Sequence, residues 1–426
     1  MRRLEARARL GLVGWAMVIT MARAVRYPND FAEAHWLLDY RFGFIKRGLA
    51  GSVLECLSWT GLVRQTADTI AVLSFTALAL LAIALLAVSA RLLRTDGRPG
   101  ASFAAAAVFA TSPFVVMTAH FMGYMDHLVV LASFGAAWLA LRGRAWPAGI
   151  IAALGVLVHE SFLLIGWPLV LVAASLNRTV TRGPAARVLP FMLPLAAAAA
   201  LGVSETWLLD PATVRQQLVA RLTSFPFIER DINIFLPEWL TTGALANLRS
   251  QAHAFGRHMS DVNLLRLMLP TTAFIVAFTG VSAPAGERIR RTLLTALAAS
   301  APLLMHAVAW DTARIWTYTV VVAFGCAWLF CASNPIEPAR ERRWMLALAV
   351  PVLLANTLGH SPLMDGETER FSTAMRLFLY APFIAGAALA LGEGFRQPRA
   401  GPPQAWARPA PATKAHPRAA DESSAV

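Results

Sequence analysis

The sequence predicts an all-α fold: a polytopic transmembrane helical bundle of about 11–13 spans, with interfacial helices in its outer loops. Three observations predict it. The 426 residues are 57% hydrophobic and only 15% charged, too apolar for a water-soluble chain of this length. Apolar runs recur along the chain, separated by short Arg-rich connectors. The formal net charge of +13 gathers in those connectors and in the C-terminal tail, so topogenesis and anionic lipid account for it and no nucleic-acid partner is expected. The lipid bilayer is the expected partner.

Basic connectors mark cytoplasmic ends, and they thread the chain consistently. The first span, 10–26, runs outward from Arg2, Arg3, Arg7 and Arg9. The same start also reads as a signal peptide ending at Ala22 and Ala24, and both readings leave residue 27 onward outside. Outer loop 27–68 carries an apolar segment, 49–63, too short to span and expected at the interface. Spans at 69–90, 101–119, 128–141, 146–158, 161–176 and 188–204 follow. They turn inside at Arg91, Arg94 and Arg98, at Arg142 and Arg144, and at Arg178, Arg182 and Arg187. Their outer turns are 120–127 and His159-Glu160. After the largest outer loop, 205–262, spans at 263–281, 292–309, 314–332, 344–358 and 372–392 complete the set. Inner connectors there carry Arg288, Arg290 and Arg291, then Arg340, Arg342 and Arg343.

This organisation divides the chain into a membrane module, 1–262, further transmembrane helices, 263–395, and a Pro/Ala-rich tail, 396–426, expected to be disordered and cytoplasmic like the N-terminus. The expected location is a cell inner membrane. A rival threading makes 49–63 a full span and fuses 146–176 into one helix, but it places Arg91, Arg94, Arg98, Arg142 and Arg144 outside. Cys56, Cys326 and Cys331 form no CxxC pair and read as packing residues, so no zinc site or disulfide framework is expected.

The preferred threading gathers the chemistry on the outer side. Asp30, in a Pro-Asn-Asp turn directly after the first span, is the first candidate for a general base, with Asp39 the alternative. Arg41, Lys46 and Arg47 are cations on an outer loop, where topogenesis does not explain them; they suit a lipid phosphate, or else an internal salt bridge to Asp39 or Glu55. The stretch His120 to His127 offers two histidines seven apart, on one face if the helix continues, with Asp126 as an acid at membrane depth. His159-Glu160 is no HExxH site, because Leu163 stands where the second His belongs, and a lining role is expected instead. Asp311 and Arg314 are spaced i, i+3 for a local ion pair, with Arg314 available as a further phosphate ligand. Within 205–262, Asp210-Pro211 starts a helix whose stripe Val214, Leu218 and Leu222 opposes Arg215, Gln216, Gln217 and Arg221.

Acidic Asp30 after the first span, interfacial segments before the second, Asp126 in the next outer loop and a large loop after span seven resemble the GT-C superfamily over roughly the first 260 residues. These are polytopic glycosyltransferases that use polyprenyl-phosphate sugars. The resemblance implies an inverting transfer from such a donor to a lipid, glycan or protein acceptor at the outer face. Asp30, Asp39 and Asp126 would be catalytic. Arg41, Lys46, Arg47, His127, His159, Glu160, Asp311 and Arg314 would bind substrate. Asp30 is followed by Phe31 where the family commonly has paired acids, and Asp126 by His127 where some members carry a second acid for metal binding; these departures leave metal dependence and the identity of the base open, with a divalent cation possible and no metal ligand assigned. Two other classes stay open: a secondary transporter or lipid-linked-sugar flippase, and a surface-polysaccharide polymerase or ligase, or an acyltransferase using His159 or His120. Transporters keep their key charges near mid-membrane, whereas these lie at the outer edge.

Overall fold

The computed structural model describes residues 2–95, 100–177, 184–309, 311–333, 342–361, 363 and 367–396. Arg98, Arg178, Arg182, Arg340, Asp365, the side chains of Arg187 and Arg342, and the tail beyond 396 lie outside the described residues.

Among the described residues every regular element is helical. The first is α1, Arg2–Ala22. Loop one then folds as a short helix α2, Asp30–His35, a 3-10 turn at Tyr40–Phe42 and α3, Gly48–Trp59. At 12 residues α3 is about 18 Å long, short of the roughly 30 Å hydrocarbon core of a bilayer. The 29-residue α4, Ala67–Thr95, returns. The third predicted span is two helices, α5, Gly100–Ala110, and α6, Pro113–His120. They part where Pro113, lacking an N–H, begins a new first turn.

A short trio follows: α7, Asp126–Leu141, α8, Ala145–Val158, and α9, Phe162–Leu176. Residues 146–176 are therefore two helices, against the rival threading, and they part at His159, whose backbone is extended. α10, Pro184–Val203, runs into a π turn at Ser204–Leu208. The large loop holds α11, Pro211–Thr223, α12, Arg230–Thr241, α13, Ala244–Gln251, and α14, Phe255–Met259. In α11 the Asp210 carboxylate caps the N–H groups of Ala212 and Thr213, and the buried residues are Val214, Leu218 and Leu222, the expected stripe. α15, Val262–Val281, α16, Arg288–Ser300, α17, Thr312–Ser333, α18, Arg342–Leu358, and α19, Thr373–Arg396, complete the set.

Among the described residues, five helical segments are long and apolar enough to cross a membrane, α5 and α6 together counting as one. Two of them, residues 100–120 and α17, are almost wholly buried in the core. There Phe109 stacks on Phe324 at 3.8 Å, and the small side chains of Ala104 to Ala107 let neighbouring helices close in. α4, α10 and α19 lie at the periphery, with most of their length uncovered. Helices before and after residue 262 share this one core.

A second apolar cluster joins the two large loops. Trp36, Leu37, Leu38, Ile45 and Leu54 pack with the α11 stripe and with Leu236 and Leu240 of α12. Loop one is pinned to the helix ends below it: Trp36 Nε1 donates to the Gly123 carbonyl at 2.8 Å, and Arg26 Nε donates to that of His120 at 2.9 Å. Gly51 of α3 lies so close to Leu38 that an added Cβ would meet its carbonyl oxygen at 1.8 Å. The outer turns of the sequence reading thus gather at one end of the bundle.

Candidate functional site

The site is built from α2 upward. Asn29 caps α2, its side chain accepting the Ala32 N–H at 2.9 Å. Phe31 and His35 stand one turn apart on its inner face, rings 4.7 Å apart edge-on. His35 Nδ1 lies 2.7 Å from the Phe31 carbonyl, and Arg47 Nη1 lies 2.9 Å from His35 Nε2. A guanidinium only donates, so Nε2 accepts and the ring proton sits on Nδ1. Burial and then the Arg47 charge push the His35 pKa well down, which keeps that ring neutral.

Arg47 just before α3 has φ 61°, the one non-glycine residue with positive φ among those described. Its guanidinium is buried and held on three sides. Nη2 reaches Glu160 Oε1 at 2.6 Å and Nε reaches Oε2 at 3.2 Å. Trp239 of α12 covers the group at 4.2 Å from the ring centre. Glu160 nonetheless leaves 38% of its side-chain surface open. Burial works to raise its pKa, but Arg47, His159 and Lys46 outweigh that and hold it well below the usual carboxylate range. Lys46 pairs with Glu205 at 3.4 Å, at the π turn, and donates to the Thr242 carbonyl at 3.3 Å.

The other half comes from α6, α7 and α17. Asp126 opens α7 and accepts from the Tyr318 hydroxyl at 2.5 Å, with Arg314 Nη1 3.5 Å from its other oxygen. Arg314 also pairs with Asp311 at 2.8 Å and lies over the rings of Phe121 and Tyr124. His159 joins the halves. Its Nδ1 accepts the Ser161 N–H at 3.1 Å, and it lies within electrostatic reach of Arg47, Glu160, Asp126 and Arg314. Burial first, then Arg47, lowers its pKa to about 4.

Lys46, Arg47, Asp126, His159, Glu160, Asp311 and Arg314 therefore converge, from segments up to 268 residues apart. Other expected residues stand apart. Asp39 caps the 3-10 turn and takes Arg41 through Nε and Nη2 at 2.9 and 2.7 Å, while Arg41 Nη1 reaches Glu55 at 2.7 Å. Both internal salt bridges weighed for Arg41 are formed, and Arg221 of α11 closes the same network on Glu55 at 2.7 Å. Asp30 accepts the Glu229 N–H at 2.7 Å, linking α2 to the segment leading into α12. His127 is buried with its Nε2 on the Thr118 carbonyl at 2.7 Å. The helix breaks between Phe121 and Met125, so His120 and His127 do not share one face.

His35, Tyr318 and Trp239 were missed as site residues. His35 lies in outer loop 27–68 beside the other ionisable residues, and Tyr318 lies seven residues after Asp311, on the face Arg314 shares, so clustering could have found the first and periodicity the second. Trp239 carries no local signal. Among the described residues, no group of three or more His, Cys, Asp or Glu side chains is arranged to hold a metal ion. Comparisons with known families, curated proteins and solved structures returned no match to this chain.

Proposed function

We propose that this chain is a polytopic inner-membrane glycosyltransferase that transfers a sugar from a polyprenyl-phosphate donor to a lipid, glycan or protein acceptor at the outer face. The observation that carries the reading is the convergence of two guanidiniums, an ammonium and an open carboxylate at one end of an apolar helical bundle. Both termini would be cytoplasmic, since the helix order returns the chain to the side of its basic connectors.

The peripheral helices suit hydrocarbon solvent: Val72, Leu80 and Ile83 of α4, Val188 and Met192 of α10, and Leu377, Phe378 and Leu389 of α19 are exposed. α8 has 14 residues, about 21 Å against a hydrocarbon thickness of about 30 Å. With its cytoplasmic end flush, His159 and Glu160 sit about 9 Å below the outer edge. A lipid-linked phosphate can reach that depth without leaving its leaflet.

In this reading the donor phosphate takes the Arg47 guanidinium, with Lys46 and Arg314 beside it. Glu160, displaced from Arg47, is the base, because its carboxylate keeps open surface while Asp39, held by Arg41, and Asp126, held by Arg314 and Tyr318, are buried. The acceptor oxygen bonds to the anomeric carbon as its proton passes to Glu160. The carbon–phosphate oxygen bond breaks, and its electron pair stays on the phosphate, where the cations stabilise it. Attack opposite the leaving group inverts the sugar carbon.

The test is turnover in proteoliposomes loaded with a panel of polyprenyl-phosphate sugars. Acceptor-dependent release of polyprenyl phosphate, lost in Arg47→Ala, is expected. Movement of intact donor across the bilayer without release would replace the transferase by the flippase reading. Single cysteines at positions 30, 126 and 160 in a Cys-free background should label from outside; labelling only from the cytoplasm would overturn the topology.

A further inference from the structure

We propose that His35 is a positioning residue that orients the Arg47 guanidinium for an incoming phosphate while sparing its positive charge. The inference rests on the reading of Arg47 as the anion's ligand.

The argument begins with what a buried arginine needs. Arg47 is only 5% exposed, so its N–H groups require acceptors inside the protein. Glu160 takes two of them, and the third direction, Nη1, ends on His35 Nε2. A carboxylate at position 35 would satisfy that donor equally well, but it would bring a second negative charge and leave nothing for a ligand anion to pair with. A neutral imidazole supplies the lone pair without the charge. The ring is fixed in that role from its far side: Nδ1–H donates to the Phe31 carbonyl, and Phe31 packs against the ring. Its burial, at 2% exposure, shuts out the water that would protonate it.

The other contacts of Arg47 agree with a group held ready and not merely packed. The residue keeps a left-handed backbone without being glycine. Trp239 covers the guanidinium with a ring face, which is again an interaction that leaves the net charge in place. The one neutralising partner, Glu160, is also the one with open surface around it. A phosphate arriving there exchanges with Glu160, and His35 keeps the guanidinium from following the departing carboxylate.

The experiment uses full-length protein purified in detergent and titrated with polyprenyl monophosphate, with affinity read from the saturable thermal shift. Four variants separate the roles. Arg47→Ala should abolish the shift; wild-type-like binding there would remove the reading of Arg47, whatever the His35 variants do. His35→Gln, whose amide oxygen replaces Nε2 without charge, should bind within about threefold of wild type. His35→Leu should bind about 10- to 100-fold more weakly, the range of a lost hydrogen bond to a charged group. His35→Glu should bind most weakly of the three, although its ligand-free thermal stability should equal or exceed that of His35→Leu. That inversion between stability and affinity is what a purely structural histidine would not produce. Wild-type affinity in His35→Leu, or equal affinity in the Glu and Gln variants, would overturn the proposal. If the Leu variant does not fold, the Glu and Gln pair decides alone.

Discussion

Two arginine–glutamate clusters stand at the same end of the bundle, and they are built for different ends. In the first, Arg23, just after α1, donates to Glu369 through Nε and Nη2, both at 2.8 Å, and to the carbonyls of Asn356 and Gly359 at 2.7 Å. Arg376 of α19 reaches the same carboxylate at 3.3 Å and the Gly359 carbonyl at 2.7 Å. The three side chains have no exposed surface. The second is Arg47 with Glu160, in which the arginine is as deeply held but the glutamate is open. A sealed carboxylate between two guanidiniums ties α1, α18 and α19 together. An open one is, in the proposed function, the counter-ion that a ligand replaces.

The comparison is broken most directly by removing the carboxylates. Glu369→Ala leaves two buried guanidiniums unmatched and should destabilise the protein by about 3–5 kcal/mol, if it folds at all. Glu160→Gln keeps an acceptor near Arg47 at a partly open position and should change stability by less than about 1 kcal/mol. Thermal unfolding in detergent measures both, and equal losses would mean that the two clusters are equivalent braces. Function should reverse the order. In the proteoliposome assay, Arg47→Ala should lower turnover by about 10²–10³-fold, in line with the loss of a preorganised donor to developing charge. A stability-neutral Glu160→Gln with unchanged turnover would sink its assignment as base.

Much of the helical plan was legible because it is written in short-range terms. Apolar runs bounded by arginines set α4, α9, α15, α17 and α18, and the Asp210-Pro211 start with its stripe located α11 and its buried face. The polar pair His159-Glu160 marked a turn, since burying two ionisable groups mid-helix has no local compensation. What stayed hidden depends on rotation and on distance along the chain. Five residues of α2 separate Asp30 from His35, about 140° around the helix, so a loop that looked like one charged patch splits. His35 faces Arg47, while Asp30 meets the Glu229 backbone. Arg23 and Glu369 are 346 residues apart, and nothing local in either announces the other. Trp239 joins Arg47 only after two loops have folded onto a shared core.

The smallest effect concerns Glu33, which shares α2 with His35 and belongs to neither cluster. Burial, then the charges of Asp30 and Asp68, raises its pKa from 4.5 to about 7. A carboxyl whose folded pKa is raised adds stability below pH 4.5 and loses it as pH climbs through about 7. His159 has the opposite sign: with its pKa lowered from 6.5 to about 4, its contribution is full above pH 6.5 and is lost as pH falls toward 4. The two slopes oppose each other between pH 4.5 and 6.5, and only Glu33 acts from 6.5 up to about 7, above which its lost stability stays lost. Glu33→Gln should therefore leave stability near pH 5 almost unchanged and raise the melting temperature at pH 8 by about 1–3 °C over wild type. An unchanged difference between variant and wild type from pH 5 to 8 would show that Glu33 is ionised in the folded protein throughout. A rise at pH 8 would identify α2 as a place where a proton is held near neutrality, two residues before His35.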